Sequence, residues 1–483
     1  MTSLRQSLAL TFLSSNGATA IQFVVTVVLA RLLDPDEVGI YSVTAVMVSI
    51  AHLFRDFGVA SYLQQEKELT REKVGAAFGV LLTSSWAIAA LVFLLSWPAA
   101  TFYGQEGIRK VMQVMALGFM FIPFGAVTHS LLTRDYRAKE QAYVRVAGTL
   151  AYAISAIGFA YLGFSYMSMA WANLINIIVT ALAYMPFRPA VMPWLPRFKG
   201  WRRVLHFGAG ATLGNSLGAI NSAIPDVVLG KISGPYDVGL MSRAWSTTNL
   251  FNQIIGPTIS YAVLPYLAKA HHSGQGLSAH LQRGCAYITG IMWPAFAATA
   301  IFAEPVVLFL YGEKWLEATP IMQWLAVMFV LGTPFGFSGS AYMALGRPYL
   351  ATIPTVASLI ARGIAIAMLY DGTLVSFSWA LVAAAVLMYP IQTWMQKHYL
   401  GLDVRSFLAS QVHSIYVAAL CGMMSLALQW ATQAWPAAWV VLAAGLLVPT
   451  IWLMSIWVFS HPLRQEIEVF VKRYPAIARR LGV

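Results

Sequence analysis

Fourteen largely apolar stretches of about 20 residues follow one another from residue 8 to residue 459. They run over 8–30, 38–57, 74–97, 110–132, 142–163, 166–186, 204–229, 239–262, 284–304, 317–345, 349–370, 373–396, 409–431 and 436–459. Each is long enough to cross a hydrocarbon core as a helix, where every backbone polar group must bond within its own segment. The sequence therefore predicts an all-α polytopic membrane protein with about 14 transmembrane helices. Composition agrees: 59% of residues are hydrophobic and only 10% are charged, where a soluble domain carries about 25% charge. A disordered chain, a disulfide scaffold and a secreted enzyme are excluded. An outer-membrane barrel is disfavoured, because its strands alternate apolar and polar residues and give no long apolar runs. The first run, from after Arg5 to about Leu29, is too long for a signal-peptide core and reads as a retained first span.

The net charge of +12 belongs to the loops. The N-terminus, the loops after even-numbered spans and the C-terminal tail hold 22 lysines and arginines; loops after odd-numbered spans hold 5. The positive-inside rule then places both termini in the cytoplasm, and the basic excess needs no nucleic acid to explain it. No loop is long enough for an independent domain. Cys285 and Cys421 stand apart in apolar stretches and read as small buried hydrophobes. No zinc, phosphate-loop or nucleophile constellation is present, so no metal, cofactor or catalytic residue is expected.

The first six spans recur. Val27-Val28-Leu29 returns as Val227-Val228-Leu229, Arg31 as Lys231, Pro35 as Pro235, Val38-Gly39 as Val238-Gly239 and Ser42 as Ser242. Later, Tyr103-Gly104 returns as Tyr311-Gly312, Met112-Gln113 as Met322-Gln323, Pro123-Phe124-Gly125 as Pro334-Phe335-Gly336 and Trp171-Ala172 as Trp379-Ala380. An ordered series at an offset between 200 and 211 indicates a duplication. Six spans per copy make it a parallel repeat, an arrangement suited to alternating access. The expected organisation is an N-terminal six-helix bundle (1–187), a basic cytoplasmic linker (188–203), a second six-helix bundle (204–397), extra helices 13 and 14 (398–459) and a basic cytoplasmic tail (460–483).

The run Leu29-Ala30-Arg31-Leu32-Leu33-Asp34-Pro35-Asp36-Glu37-Val38-Gly39, the Asp56-Phe57-Gly58 turn, Pro235-Tyr236-Asp237-Val238-Gly239 and Tyr311-Gly312-Glu313-Lys314-Trp315 resemble Wzx-like polysaccharide flippases. These form the polysaccharide transporter branch of the multidrug/oligosaccharidyl-lipid/polysaccharide superfamily. The resemblance covers spans 1–12 and rests on turn and packing signatures. It implies two six-helix bundles in a V. It also implies translocation of an undecaprenyl-diphosphate-linked oligosaccharide to the periplasmic leaflet for exopolysaccharide, capsule or O-antigen biosynthesis. The implied partners are that substrate, membrane lipids, a coupling H+ or Na+, and a polysaccharide polymerase with other export proteins. A sugar-diphosphate head group cannot shed its water in hydrocarbon, so such a protein needs a polar, cationic cavity and no covalent chemistry.

Arginine inside a span costs roughly 2.5–3.5 kcal/mol at the helix centre. Arg362, midway along span 11, is read as a diphosphate contact or as half of a structural ion pair. Arg55, near the cytoplasmic end of span 2, is read as a diphosphate contact or as a snorkelling side chain. Arg31 and Arg243, near the periplasmic ends of spans 1 and 8, and Arg145, at the start of span 5, are candidates for the same cationic cavity, with snorkelling as the simpler explanation. In related lipid II flippases the cavity arginines lie on spans 1, 2 and 8, the spans that carry Arg31, Arg55 and Arg243. Asp226 in span 7, preceded by Asn215 and Asn221, is a candidate coupling site for a proton or cation, or else a helix-end residue after Pro225. Asn16, Gln22, Asn173, Asn176, Asn249 and Asn252 are read either as cavity contacts for sugar hydroxyls or as helix-to-helix bonds. The strip 197–203 faces anionic head groups, and the tail 464–480 reads as an amphipathic surface helix.

Two other functions compete. A multidrug or organic-cation exporter of the same superfamily would favour cavity carboxylates over arginines. A polyprenyl-dependent membrane glycosyltransferase or ligase would use a metal-carboxylate motif, for which Asp34-Pro35-Asp36 is the only candidate; such enzymes usually carry a large periplasmic loop, absent here.

Overall fold

The computed structural model describes residues 4–473 apart from Phe57 and Gln275, with side chains described outside 4–12, 203, 206–217, 257–262 and 470–473. Among the described residues there are nineteen α-helices and no strand. Twelve helical stretches of 20 to 33 residues are long and apolar enough to cross a membrane. They coincide with twelve of the fourteen expected spans. The other two expected spans, 204–229 and 239–262, fall on α8 (Trp201–Ile232) and on α9 (Pro235–Thr248) with α10 (Leu250–His272). These carry Asp226, Lys231, Asp237 and Arg243, α9 breaks from α10 at Asn249, and parts of both spans lie outside the described side chains. Among the described residues twelve spans are therefore seen, and the expected count of fourteen is not confirmed.

The chain divides into two compact units, residues 1–242 and 243–483. The first holds α1 (Leu4–Leu32), α2 (Pro35–Asp56), α3 (Val59–Gln65), α4 (Arg71–Tyr103), α5 (Glu106–Arg134), α6 (Ala138–Tyr161), α7 (Met167–Tyr184), α8 and the start of α9. Helix ends follow local chemistry. Thr70 caps α4 by accepting the Lys73 amide at 3.3 Å, and Gly104 ends α4 in the left-handed region at φ 69°. At the start of α2 the amide of Asp34 donates to the Glu37 carboxylate at 2.9 Å, one arm of a capping box. The acidic turn 34–37 thus has a structural use that the metal-carboxylate reading does not need. Within the unit α1 packs on α6, α4 on α5, α5 on α7, and α2 on α4, α5 and α8.

The α2–α9 crossing is unusually close. A methyl group added at Gly39 would collide with the Pro235 carbonyl, and one added at Gly239 would collide with the Pro35 carbonyl. Ser42 Oγ donates to Ser242 Oγ at 3.2 Å. Residues paired in sequence at an offset of 200 meet one another here, and only glycine lets the two backbones approach.

The second unit holds the rest of α9, α10, α11 (Leu277–Ile301), α12 (Ala303–Leu310), α13 (Ala318–Gly332), α14 (Ser338–Ala344), α15 (Thr352–Leu369), α16 (Leu374–Leu400), α17 (Val404–Ala431), α18 (Ala437–Val458) and α19 (Leu463–Arg473). The expected span 317–345 is interrupted, α13 passing through a 3-10 turn at Thr333–Phe335 before α14. Proline at 334 removes a helical donor there. α11 packs on α17 and α13, α15 and α13 pack on α16, and α17 packs on α18. Indole bonds tie the layers: Trp293 Nε1 donates to Val330 O at 2.9 Å and Trp452 Nε1 to Gly290 O at 2.7 Å.

Candidate functional site

In the first unit the polar residues of α2, α5, α6 and α7 gather into one region. Arg55 lies half-buried on the last turn of α2, where Ser84 Oγ of α4 donates to its carbonyl at 2.8 Å. Its buried Nε has no hydrogen-bond partner among the described residues. One turn earlier His52 stacks on Phe119, ring centroids 4.3 Å apart. Arg145, half-buried on α6, donates to Ser15 Oγ of α1. Between these levels His129 Nδ1 and Tyr184 Oη are bonded at 2.8 Å. His129 lies within electrostatic reach of both Arg145 and Asp56.

His129 and Tyr184 line an open cavity of about 340 Å³ together with Asn176, Thr180, Ile122 and Ile177. Thr180 Oγ1 donates to Asn176 Oδ1 at 3.2 Å. A side chain at Gly148 on α6 would strike both, so glycine keeps α6 against this edge. Further along α2, Tyr41 hydrogen-bonds to Tyr152 and Asn173. The first unit thus places Arg145 and Asn176 near the His129–Tyr184 pair, while Arg55 neighbours His52 on α2. Sequence reasoning passed over His129, His52 and Tyr184. A histidine within an apolar span is itself a signal of function or of a polar partner, and that rule could have found the first two.

The remaining candidates are more dispersed. Arg31 is exposed on the last turn of α1, where a cation suits the helix dipole. Arg362 is half-buried in the interior of α15 between exposed Ile360 and Ile364, and it takes part in a polar interaction. Arg243 is half-buried on α9; its carbonyl accepts from Thr247 Oγ1 at 2.8 Å, and that hydroxyl also bonds Tyr311 Oη at 2.5 Å. Asp226 and Asn221 are both half-buried on α8. Five helical residues turn through about 140°, so they stand on different flanks. The side chains of Asn215 and Arg203 lie outside those described, as do Arg479 and Arg480. Asn249 and Asn252 bond each other at 3.1 Å across the α9–α10 break. In the linker, the Arg197 amide donates to Gly75 O at 3.0 Å and Lys199 pairs with Glu72 at 3.3 Å. Among the described residues no group of three His, Cys, Asp or Glu could hold a metal.

The second unit also carries an apolar groove of about 450 Å³ between α11, α12 and α18, with Pro294, Phe302, Ala444, Val448 and Trp452 among its walls.

This fold matches a solved structure of the lipid II flippase MurJ in an inward closed conformation, with a TM-score of 0.72 over 95% of this chain and 99% of that one. The two are 13% identical, and the likeness is one of fold. The class is therefore a multi-span α-helical membrane protein that shares this fold. The family described as polysaccharide biosynthesis protein matches residues 28–320, and the chain belongs to that family. It is 27% identical over 67% of its length to the succinoglycan biosynthesis transport protein ExoT of Rhizobium meliloti. It is 23% identical over 66% of its length to the lipopolysaccharide biosynthesis protein WzxC of Escherichia coli. The match spans 65% of the length of each of these two relatives.

Proposed function

We propose that the protein is a flippase that carries a lipid-linked oligosaccharide on an undecaprenyl-diphosphate anchor across the bacterial inner membrane by alternating access. The observation that carries this reading is Arg55. Its guanidinium is half-buried with an unpartnered Nε, in a chain of a polysaccharide biosynthesis family. A buried donor left open demands an acceptor, and a diphosphate oxygen is one that guanidinium binds well. Arg145 adds a second cation to the same unit, and Asn176, Thr180 and Tyr184 offer hydroxyl and amide partners for sugar. Arg362 and Arg243 are further anion contacts in this reading, and Arg31, exposed at a helix end, is the weakest candidate of the set. The lipid tail never leaves the apolar phase, and the groove at Phe302 and Ala444 offers it a wall free of charge.

The reading places both termini in the cytoplasm, as the charge bias supports. It treats 1–187 and 204–397 as the two repeats that rock against each other. Asp226 is the candidate site for a coupling proton or sodium ion, and a polymerase that consumes the delivered oligosaccharide is the natural partner. Nothing in this cycle makes or breaks a covalent bond.

The test is deletion of the gene followed by analysis of lipid-linked sugars by leaflet. A complete oligosaccharide trapped on the cytoplasmic face is the expected result. An incomplete oligosaccharide would point to a transferase instead.

A further inference from the structure

The hairpin between α17 and α18 closes over the start of α12 and leaves a second pocket, polar and about 220 Å³ in volume, within the second unit. Glu304, Gln429, Thr432, Gln433 and Trp435 line it. Its floor includes Val440, which packs with Phe302 and Ala444 in a buried cluster. The rim is held by the backbone: the Trp435 amide donates to Thr432 O at 2.8 Å and Thr432 Oγ1 to Leu428 O at 2.7 Å. The backbone of the rim is therefore fixed, and the pocket stands on a packed apolar base.

Its location follows from the sequence. No Lys, Arg, Asp or Glu occurs from residue 406 to 463, and the charge bias assigns the α17–α18 hairpin to the face away from the cytoplasm. Trp430, Trp435 and Trp439 around it are 75%, 52% and 62% exposed. Indoles so disposed mark the level of the lipid head groups.

The donor set selects the ligand. One carboxylate and two carboxamides side by side offer acceptors and donors to neighbouring hydroxyls, and the Trp435 ring offers an apolar face to the C–H side of a pyranose. A phospholipid ammonium would satisfy Glu304 and leave both carboxamides unmatched. A uronate or phosphate would meet Glu304, the one charged group among the lining residues.

We propose that this pocket binds one neutral sugar residue of a glycan at the far face of the membrane, as a holding site on the release side. The origin of that sugar rests on the flippase reading; the binding chemistry does not.

The experiment is titration of the purified full-length protein in nanodiscs with the methyl glycosides of glucose, galactose, mannose and N-acetylglucosamine, followed by saturation-transfer-difference NMR. At least one should bind saturably at about millimolar concentration, the range open to so small a ligand. Trp435→Ala and Gln433→Ala, both at exposed positions, should each weaken it about tenfold, or about 1.4 kcal/mol, with circular dichroism unchanged. Methyl glucuronide should bind Glu304→Gln and not the parent protein. No saturable binding of any neutral glycoside, binding unaltered in both variants, or glucuronide bound by the parent as tightly as a neutral sugar would each overturn the proposal. Glycoside binding in a protein whose deletion leaves lipid-linked sugars normally distributed would keep the pocket and remove the flippase reading. Loss of the pocket with the leaflet phenotype intact would do the reverse.

Discussion

Ser42 and Ser242, separated by 200 residues, share a hydrogen bond of 3.2 Å. Around that bond Gly39 lies against the Pro235 carbonyl and Gly239 against the Pro35 carbonyl. Each contact is the other with its partners exchanged, the signature of an isologous pairing. Turns that match in sequence at an offset of 200 here bind each other, and two glycines set how near the helices come.

Gly39→Ala and Gly239→Ala should therefore each destabilise the protein. The added methyl group meets backbone, which cannot rotate away, and overpacking of this kind costs about 1–3 kcal/mol. Gly158→Ala, whose methyl group would enter open space, is the control and should be neutral. Thermal unfolding of the detergent-purified variants checks this: equal melting temperatures for all three would contradict the close crossing.

Glu37 closes the α2 capping box on the Asp34 amide. Glu37→Ala should cost roughly 0.5–2 kcal/mol of stability and leave polysaccharide export at the parent level. Asp36→Asn should likewise leave export intact. Export abolished by Asp36→Asn in a stably folded protein would favour the metal-dependent enzyme over the transporter.

His461, 1% exposed, pins the turn between α18 and α19. Its Nδ1 accepts the Leu463 amide at 3.1 Å, so Nε2 carries the proton and donates to Ser414 Oγ at 3.0 Å. Burial, with His413 nearby, pushes its pKa down from 6.5 to about 4. The folded state thus binds fewer protons than the unfolded one. The docking of α19 should be fully stable above about pH 6.5 and weaken as pH falls toward 4. Hydrogen-exchange protection factors of the α19 amides, each referred to the intrinsic exchange rate at its pH, read this out at pH 7.5 and pH 5; lower protection at pH 7.5 would have the wrong sign.

Much of the fold was legible because a bilayer allows so few solutions: apolar runs must be helices, and all fourteen fall on helices, twelve of them long and apolar enough to cross among the described residues. The spans at 204–229 and 239–262 were the hardest to read. Asp226, Asp237 and Arg243 dilute their apolar character, and the α9–α10 break at Asn249 follows no proline or glycine. The break at Thr333–Phe335 was foreshadowed by Pro334, yet Pro123 at the matching position leaves α5 continuous. Periodicity alone does not separate those two outcomes. At the site, intramembrane arginines were visible as charges in the wrong solvent. The pairing of His129 with Tyr184 joins α5 to the end of α7, 55 residues apart, and no local pattern in the sequence encodes it.

Arg31 and Arg145 test how far a cation's position decides its role. Arg31 is exposed at a helix end, whereas Arg145 reaches Ser15 from a half-buried position. Arg31→Gln should leave export within about fivefold of the parent, the change expected of a surface charge worth about 0–1 kcal/mol. Arg145→Gln should reduce export about tenfold or more, the loss of one charge-assisted bond. Equal effects at both sites, scored by surface polysaccharide at matched protein levels, would contradict that ranking.

The most direct measurement is translocation in proteoliposomes. A polyprenyl-diphosphate oligosaccharide is loaded in one leaflet and its arrival in the other is scored by glycosidase access. The parent protein should move it. Arg55→Ala should slow movement by about 10- to 100-fold, as expected when a bond to a charged group worth 1.5–3 kcal/mol is lost, and Arg55→Lys should recover part of the rate. Transport by Arg55→Ala at the parent rate would contradict the assignment of Arg55, and no transport by the parent protein would contradict the flippase itself.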